Sequence, residues 1–153
     1  MTVDVEQVIR EYLPNVIHLS LATCKDGKPW VCEVHYAFDD KLNLYFRSLT
    51  SRRHSQEIAA NPNVAGNIVK QHQAGVSPVG VYFEGTATML SPGEEMDAAY
   101  EALNARFGAG PEILEEAKNP DGHQFYKVTV SGWYVFGNVD GEGAKKHQLP
   151  WQK

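Results

Sequence analysis

The sequence predicts a mainly β fold, a six-stranded antiparallel barrel, closed or nearly closed, with helices at its periphery. Three observations carry that expectation. Segments rich in β-branched and aromatic residues recur along the chain, the clearest being Phe125-Tyr126-Lys127-Val128-Thr129-Val130 with its two-residue alternation. Tight-turn signals, Asp26-Gly27 and Asp39-Asp40-Lys41, separate the early segments. Helical patterns are few and do not alternate with strands as a Rossmann sheet requires. The 153 residues suffice for one domain, 1–153, with a substantial core, and a composition of 42% hydrophobic and 22% charged residues is ordinary for a globular protein.

In order along the chain, Val5, Val8, Ile9 and Tyr12 recur at helical spacing, so Val3 to Leu13 is a short amphipathic helix stopped by Pro14. Val16–Thr23, Trp30–Phe38 and Leu42–Phe46 read as three strands joined by tight turns, an antiparallel meander. Thr50 to Ala60 is helical, with Thr50 or Ser51 as N-cap and Asn61-Pro62 as the stop. Val64–Val69 is a fourth strand, 71–78 a polar loop, and Val79–Leu90 a long fifth strand with a bulge or bend at Gly85. Ser91-Pro92-Gly93-Glu94-Glu95 opens the clearest helix, with Ser91 as its cap and acids in its first turn, ending near Phe107 before Gly108 and Gly110. A helical turn at Glu112–Lys118 precedes the last strand, Gln124–Phe136, and a tail rich in Gly, Lys and His.

Several chemistries are excluded by what the sequence lacks. A net charge of −5 gives no general electrostatic hold on nucleic acid. The opening residues show no basic segment followed by an apolar stretch, and no apolar run reaches membrane-spanning length, so a cytoplasmic location is expected. Cys24 and Cys32 flank the Asp26-Gly27 turn out of register with each other, Cys24 facing Pro29 and Cys32 facing Leu21, and are expected as free thiols. The six histidines show no metal-ligand spacing, so no metal site is expected. Neither a nucleophile elbow nor a phosphate-loop motif occurs.

One patch of charge stands apart. From Lys41 to Gln56 the chain carries Lys41, Arg47, Arg52 and Arg53 without a single acid, and Ser48, Thr50 and Ser51 interleave with the arginines. The patch runs from the end of a strand into the start of a helix, where free N–H groups and the positive end of the dipole favour a phosphate. Arg supplies a planar fork of donors matched to phosphate oxygens. Two cations in a first helical turn oppose the dipole, a local conflict of the sort found where function overrides stability. The rival reading of the same residues is a solvated face or salt bridges to the acidic helix Glu94–Glu101. The strand Trp30–Phe38 adds an apolar, aromatic wall suited to a flat ring, although most of its residues read individually as core.

These residues, taken in order, resemble a known family. Phe38-Asp39-Asp40, Leu44-Tyr45-Phe46-Arg47-Ser48, Ser51-Arg52-Arg53-His54, Asn61-Pro62-Asn63-Val64-Ala65 and Val81-Tyr82-Phe83-Glu84-Gly85-Thr86-Ala87 are similar to the pyridoxamine 5′-phosphate oxidase-like FMN-binding split barrels. Ala99-Tyr100 to Arg106-Phe107, with Lys145-Lys146 and Trp151, resembles a small bacterial subgroup of that family. The resemblance implies a Greek-key split barrel, a homodimer, and FMN in the subunit interface. It puts the FMN phosphate on Ser51, Arg52 and Arg53, phosphate and ribityl contacts on Arg47 and Ser48, and the isoalloxazine ring along Glu33, Val34 and His35. The expected function is an FMN-dependent oxidoreductase acting on a small molecule, with no catalytic acid or base nominated. The basic residues that the oxidases carry on the earlier strand have no counterpart here, so pyridoxamine phosphate is not implied as substrate. Other expectations stay open on this fold: F420 or haem as the cofactor, with His35, His54 or His147 as an axial ligand, or a non-catalytic flavin store or redox sensor.

Overall fold

The computed structural model describes residues 3–149. Helix α1 (Val5–Tyr12) is capped by Asp4, whose side chain accepts from the Gln7 N–H at 3.0 Å, and a 3-10 turn at Leu13–Asn15 leads into the sheet. Strands β1 (His18–Lys25) and β2 (Lys28–His35) form the expected hairpin around Asp26 and Gly27, both at positive φ. β3 (Ala37–Phe38) and β4 (Leu44–Leu49) form a second hairpin. Its turn is held by Asp39, whose carboxylate accepts from the Lys41 and Asn43 N–H groups at 2.9 Å and from the Tyr45 hydroxyl at 2.8 Å. Then follow α2 (Arg53–Ala60), β5 (Asn63–Val69), β6 (Gly80–Met89), α3 (Glu94–Phe107), α4 (Glu112–Ala117), β7 (His123–Gly137) and β8 (Lys145–Gln148).

All strand pairs are antiparallel, in the order β2-β1-β5-β6-β7-β4-β3, with β8 on the far part of β7. This order corrects the expected three-strand meander. β2 and β4 are not neighbours, and the segment Trp30–Phe38 is two strands interrupted at Tyr36. The first and last strands of the path are therefore joined by one residue, which only a sheet curled back on itself permits. Tyr36 is fully buried at that junction, its N–H donating to Ile17 O at 3.2 Å and its hydroxyl to Leu13 O at 2.9 Å. The result is a split barrel of eight strands where six were expected. The added strands are β3, which had been merged with β2, and β8, whose Lys145-Lys146-His147-Gln148 lacks an apolar alternation.

Alternation along β4 and β7 builds two cores. Leu44, Phe46, Tyr126 and Val128 point into the barrel with Leu19, Leu21, Ile68 and Phe83, and Ile9 of α1 with Leu13 of the 3-10 turn closes that core. Tyr45 and Phe125 point outward and are covered by Met96, Ala99 and Leu103 of α3 and Ile113 of α4. Two helix caps differ from expectation. α2 begins after Arg52, and α3 after Gly93, neither with a side-chain cap, because the chain stays non-helical through Ser51 and through Ser91-Pro92. α3 ends as expected on left-handed Gly108. The strand register shifts between Glu84 and Gly85, at the expected bulge. Cys24 and Cys32 are free, opposite Pro29 and Leu21, and burial pushes the Cys32 thiol up to about 11. No helix among the described residues is long and apolar enough to cross a membrane, and Trp151 lies outside them.

Gly66 marks one of the tightest approaches in the wall. A Cβ there would run into the Ser20 carbonyl oxygen and the Phe83 ring. Gly66→Ala is expected to cost about 3 kcal/mol of stability by overpacking, read from urea unfolding midpoints.

Candidate functional site

The site is built where β4 runs out and α2 begins. Arg52 donates its backbone N–H to Leu49 O at 3.2 Å, and this tight turn brings the start of α2 against the barrel rim. No side chain caps α2 and no acid stands in its first turn, so its free N–H groups and dipole are uncompensated there. Beside this corner is a cleft of about 610 Å³, within the range of small-molecule sites. Its walls come from β2, β4, the start of α2, the end of α3 and the first residue of β7.

Six of the residues singled out from the sequence line this cleft: Glu33, Val34, His35, Arg47, Ser48 and Arg52. Ser51 and Arg53 do not. Arg53 turns back along its own helix, its Nε 2.7 Å from Glu57 Oε2 and its guanidinium 4.1 Å from the centre of the Trp30 ring. Glu57 is buried and also accepts from Thr23 Oγ1 at 2.8 Å, so this cluster ties α2 to β1 and β2. The basic corner thus pairs with Glu57 and Glu116 rather than with the acidic helix, from which, among the described residues, Glu95 alone reaches a cation, Lys127, at 3.4 Å.

Arg47 points outward from β4, gives its Nη2 to Glu116 Oε2, and keeps a buried Nε without a partner among the described residues. Glu116 Oε1 accepts from the His123 backbone N–H at 3.0 Å and stands 2.7 Å from His123 Nδ1. The His123 amide, the His123 ring and Arg47 together hold the Glu116 carboxyl down to about 2. Arg52 has no carboxylate partner among the described residues. On the inward side, Ser48 Oγ lies 2.8 Å from His54 Nε2 and accepts from Ser55 Oγ at 3.2 Å. Burial, and then the charge of Arg52, push the His54 imidazole below its ordinary range, which favours the neutral ring. Ser48 Oγ also donates to Leu49 O at 3.4 Å, and the direction of its bond with His54 Nε2 follows the tautomer of the ring.

Sequence reasoning named His54 as a possible axial ligand to haem and missed three participants. Phe107 stacks on His35 with ring centres 5.7 Å apart, and Glu116 and His123 arrive from α4 and β7. Phe107, Glu116 and His123 meet His35, Arg47 and Leu49 across 69 or more residues, which no local pattern carries.

Because Glu116 is held far below its ordinary value of 4.5, its contribution to stability is complete above about pH 4.5 and is lost as pH falls towards 2. Thermal melts of the unsubstituted protein are expected to fall across that interval. Melts of Glu116→Gln are expected to fall less, starting from a lower value at neutral pH.

The sequence profile of the pyridoxamine 5′-phosphate oxidase family matches residues 5–137. A UPF0306 protein of Photorhabdus laumondii is 29% identical over 102 residues, 66% of this chain and 71% of that one. Among solved structures, a haem-binding protein from Mycobacterium smegmatis matches 97% of this chain with a TM-score of 0.76 at 17% identity, and this chain spans 59% of its length. An FAD-binding protein from Mesorhizobium loti matches 85% of this chain and 90% of its own, with a TM-score of 0.63 at 22% identity. Both structures share the split-barrel fold set out above. With the profile extending from α1 to the end of β7, the chain belongs to the pyridoxamine 5′-phosphate oxidase family.

Proposed function

We propose that this protein is an FMN-binding flavoprotein, an oxidoreductase that works on a small molecule from a homodimer with the flavin near the subunit interface. The observation that carries this reading is Arg52, a cation without a carboxylate partner among the described residues, at the uncapped N-terminus of α2 and on the wall of the cleft. A phosphate there receives a guanidinium fork and helix N–H donors together.

The residues present fit the rest of the coenzyme. Val34 and His35 of β2, with Phe107 stacked on His35, offer a flat wall for a ring system. Ser48 and the Arg47 guanidinium, both on the cleft wall, supply polar contacts for the hydroxyls between ring and phosphate. Ser51 is beside the seat in sequence, and Arg53 supports it indirectly by fixing α2 against Trp30 and Glu57. When bound, the flavin supplies the hydride and electron transfer. The chain's own work is to grip the phosphate, orient the ring and present three imidazoles, His35, His54 and His123, at the cleft wall.

The homodimer is supported by β2. It is an edge strand eight residues long, with Trp30 and Val31 exposed (42% and 59%) and, among the described residues, an outer row of unpaired backbone groups that a second copy would cover. A haem reading is favoured by one observation, the His35 imidazole, which lines the cleft without a hydrogen bond among the described residues. His54 is occupied by Ser48, and His147 lies by Asp140 away from the cleft.

The visible spectrum of the purified protein, before and after adding FMN, distinguishes flavin bands from the Soret band of haem. Flavin uptake is the expected result, and exclusive uptake of haem would overturn the reading. Arg52→Ala is expected to weaken FMN binding about 10- to 100-fold in a fluorescence titration, the loss of a charge-assisted contact. Its unfolding free energy is expected to stay within about 0.5 kcal/mol of the unsubstituted protein.

A further inference from the structure

We propose that Glu116 sets the phosphate count of the cleft: by occupying Arg47 it leaves one free guanidinium, so the site takes a ligand with a single phosphate in preference to a diphosphate. This rests on the anion seat assigned above to Arg52.

Three arginines stand at the corner, and two are already matched. Arg53 is given to Glu57 and Trp30 and is off the cleft wall. Arg47 is on the wall, where a second phosphate would seek it, but its Nη2 is given to Glu116.

The pairing is built rather than incidental. Glu116 is anchored at both oxygens, since Oε1 also serves the backbone N–H and Nδ1 of His123. To swing away, it would strand that amide. Gly122 is what lets the start of β7 come so close to α4, for a Cβ there would lie 2.5 Å from Glu116 O and 2.8 Å from its Cγ. Glu116 remains ionised at any ordinary pH, so the Arg47–Glu116 pair presents no net charge to an approaching anion. A phosphate monoester meets its charge at Arg52 and the end of α2. A diphosphate carries a second group that must either remain uncompensated or displace an anchored carboxylate.

The test compares FMN with FAD, and inorganic phosphate with pyrophosphate, on the unsubstituted protein, on Glu116→Gln and on Glu116→Gln with Arg47→Gln. Gln keeps the shape and an oxygen for the His123 amide. The unsubstituted protein is expected to bind FMN more tightly than FAD. In E116Q the affinities for FAD and pyrophosphate are expected to rise roughly tenfold relative to FMN and phosphate, the worth of one charge-assisted contact. In the double variant the ratios are expected to return to their starting values. Ratios unmoved by E116Q, or a gain that survives loss of Arg47, would overturn the inference. A protein that binds neither flavin but shows the pyrophosphate shift would retain this role for Glu116 while removing the flavin reading; FMN binding with unmoved ratios would do the reverse.

Discussion

The whole arrangement depends on a covalent constraint at Tyr36. The first and last strands of the sheet path, β2 and β3, are consecutive in the chain with this residue alone between them, so the sheet has to curl until its ends meet. Tyr36 holds the meeting point by burying its ring and satisfying both its N–H and its hydroxyl. Burial drives its phenol up to about 12, so it stays a neutral donor to Leu13 O. Because β2 is brought around in this way, its residues Glu33 to His35 face the end of β4 and the start of α2, and a cleft exists between them.

Within the cleft the charges divide into those that build and those that remain available. Arg53 and Glu57 fasten α2 to the hairpin below it, and Arg47 and Glu116 fasten α4 to β4. Arg106 does similar service at the other side of α3, giving its guanidinium to the carbonyl oxygens of Leu13 and Val16 and lying 4.7 Å from the centre of the Tyr36 ring. Arginine suits this work because a planar fork stacks and hydrogen-bonds at once. Against that background Arg52 does none of it, and lines the cleft without a carboxylate partner among the described residues.

Much of the fold was legible because its signals are local. The turns at Asp26-Gly27 and Asp39, the bulge at Gly85 and the Gly108 stop each depend on a few adjacent residues. The strand order was not legible. Trp30–Phe38 reads as one continuous strand because nothing in its composition marks Tyr36 as a break; the break comes from the closure of the sheet. β8 was missed because its polar residues pair only through backbone groups. At the site, the motif around Arg52 was visible, but the separation of Arg52 from Arg53 was not. It depends on which of two neighbouring guanidinium groups finds Trp30 and Glu57, a question settled by the register of the β1–β2 hairpin.

The bridge between Arg47 and Glu116 has a consequence for how this chain tolerates change over its history. Loss of the arginine would leave an unpaired carboxylate beside the cleft, and loss of the carboxylate would leave an unpaired guanidinium on its wall. Neither half is neutral without the other, although 69 positions separate them. A substitution at one member is therefore expected to call for a matching change at the other.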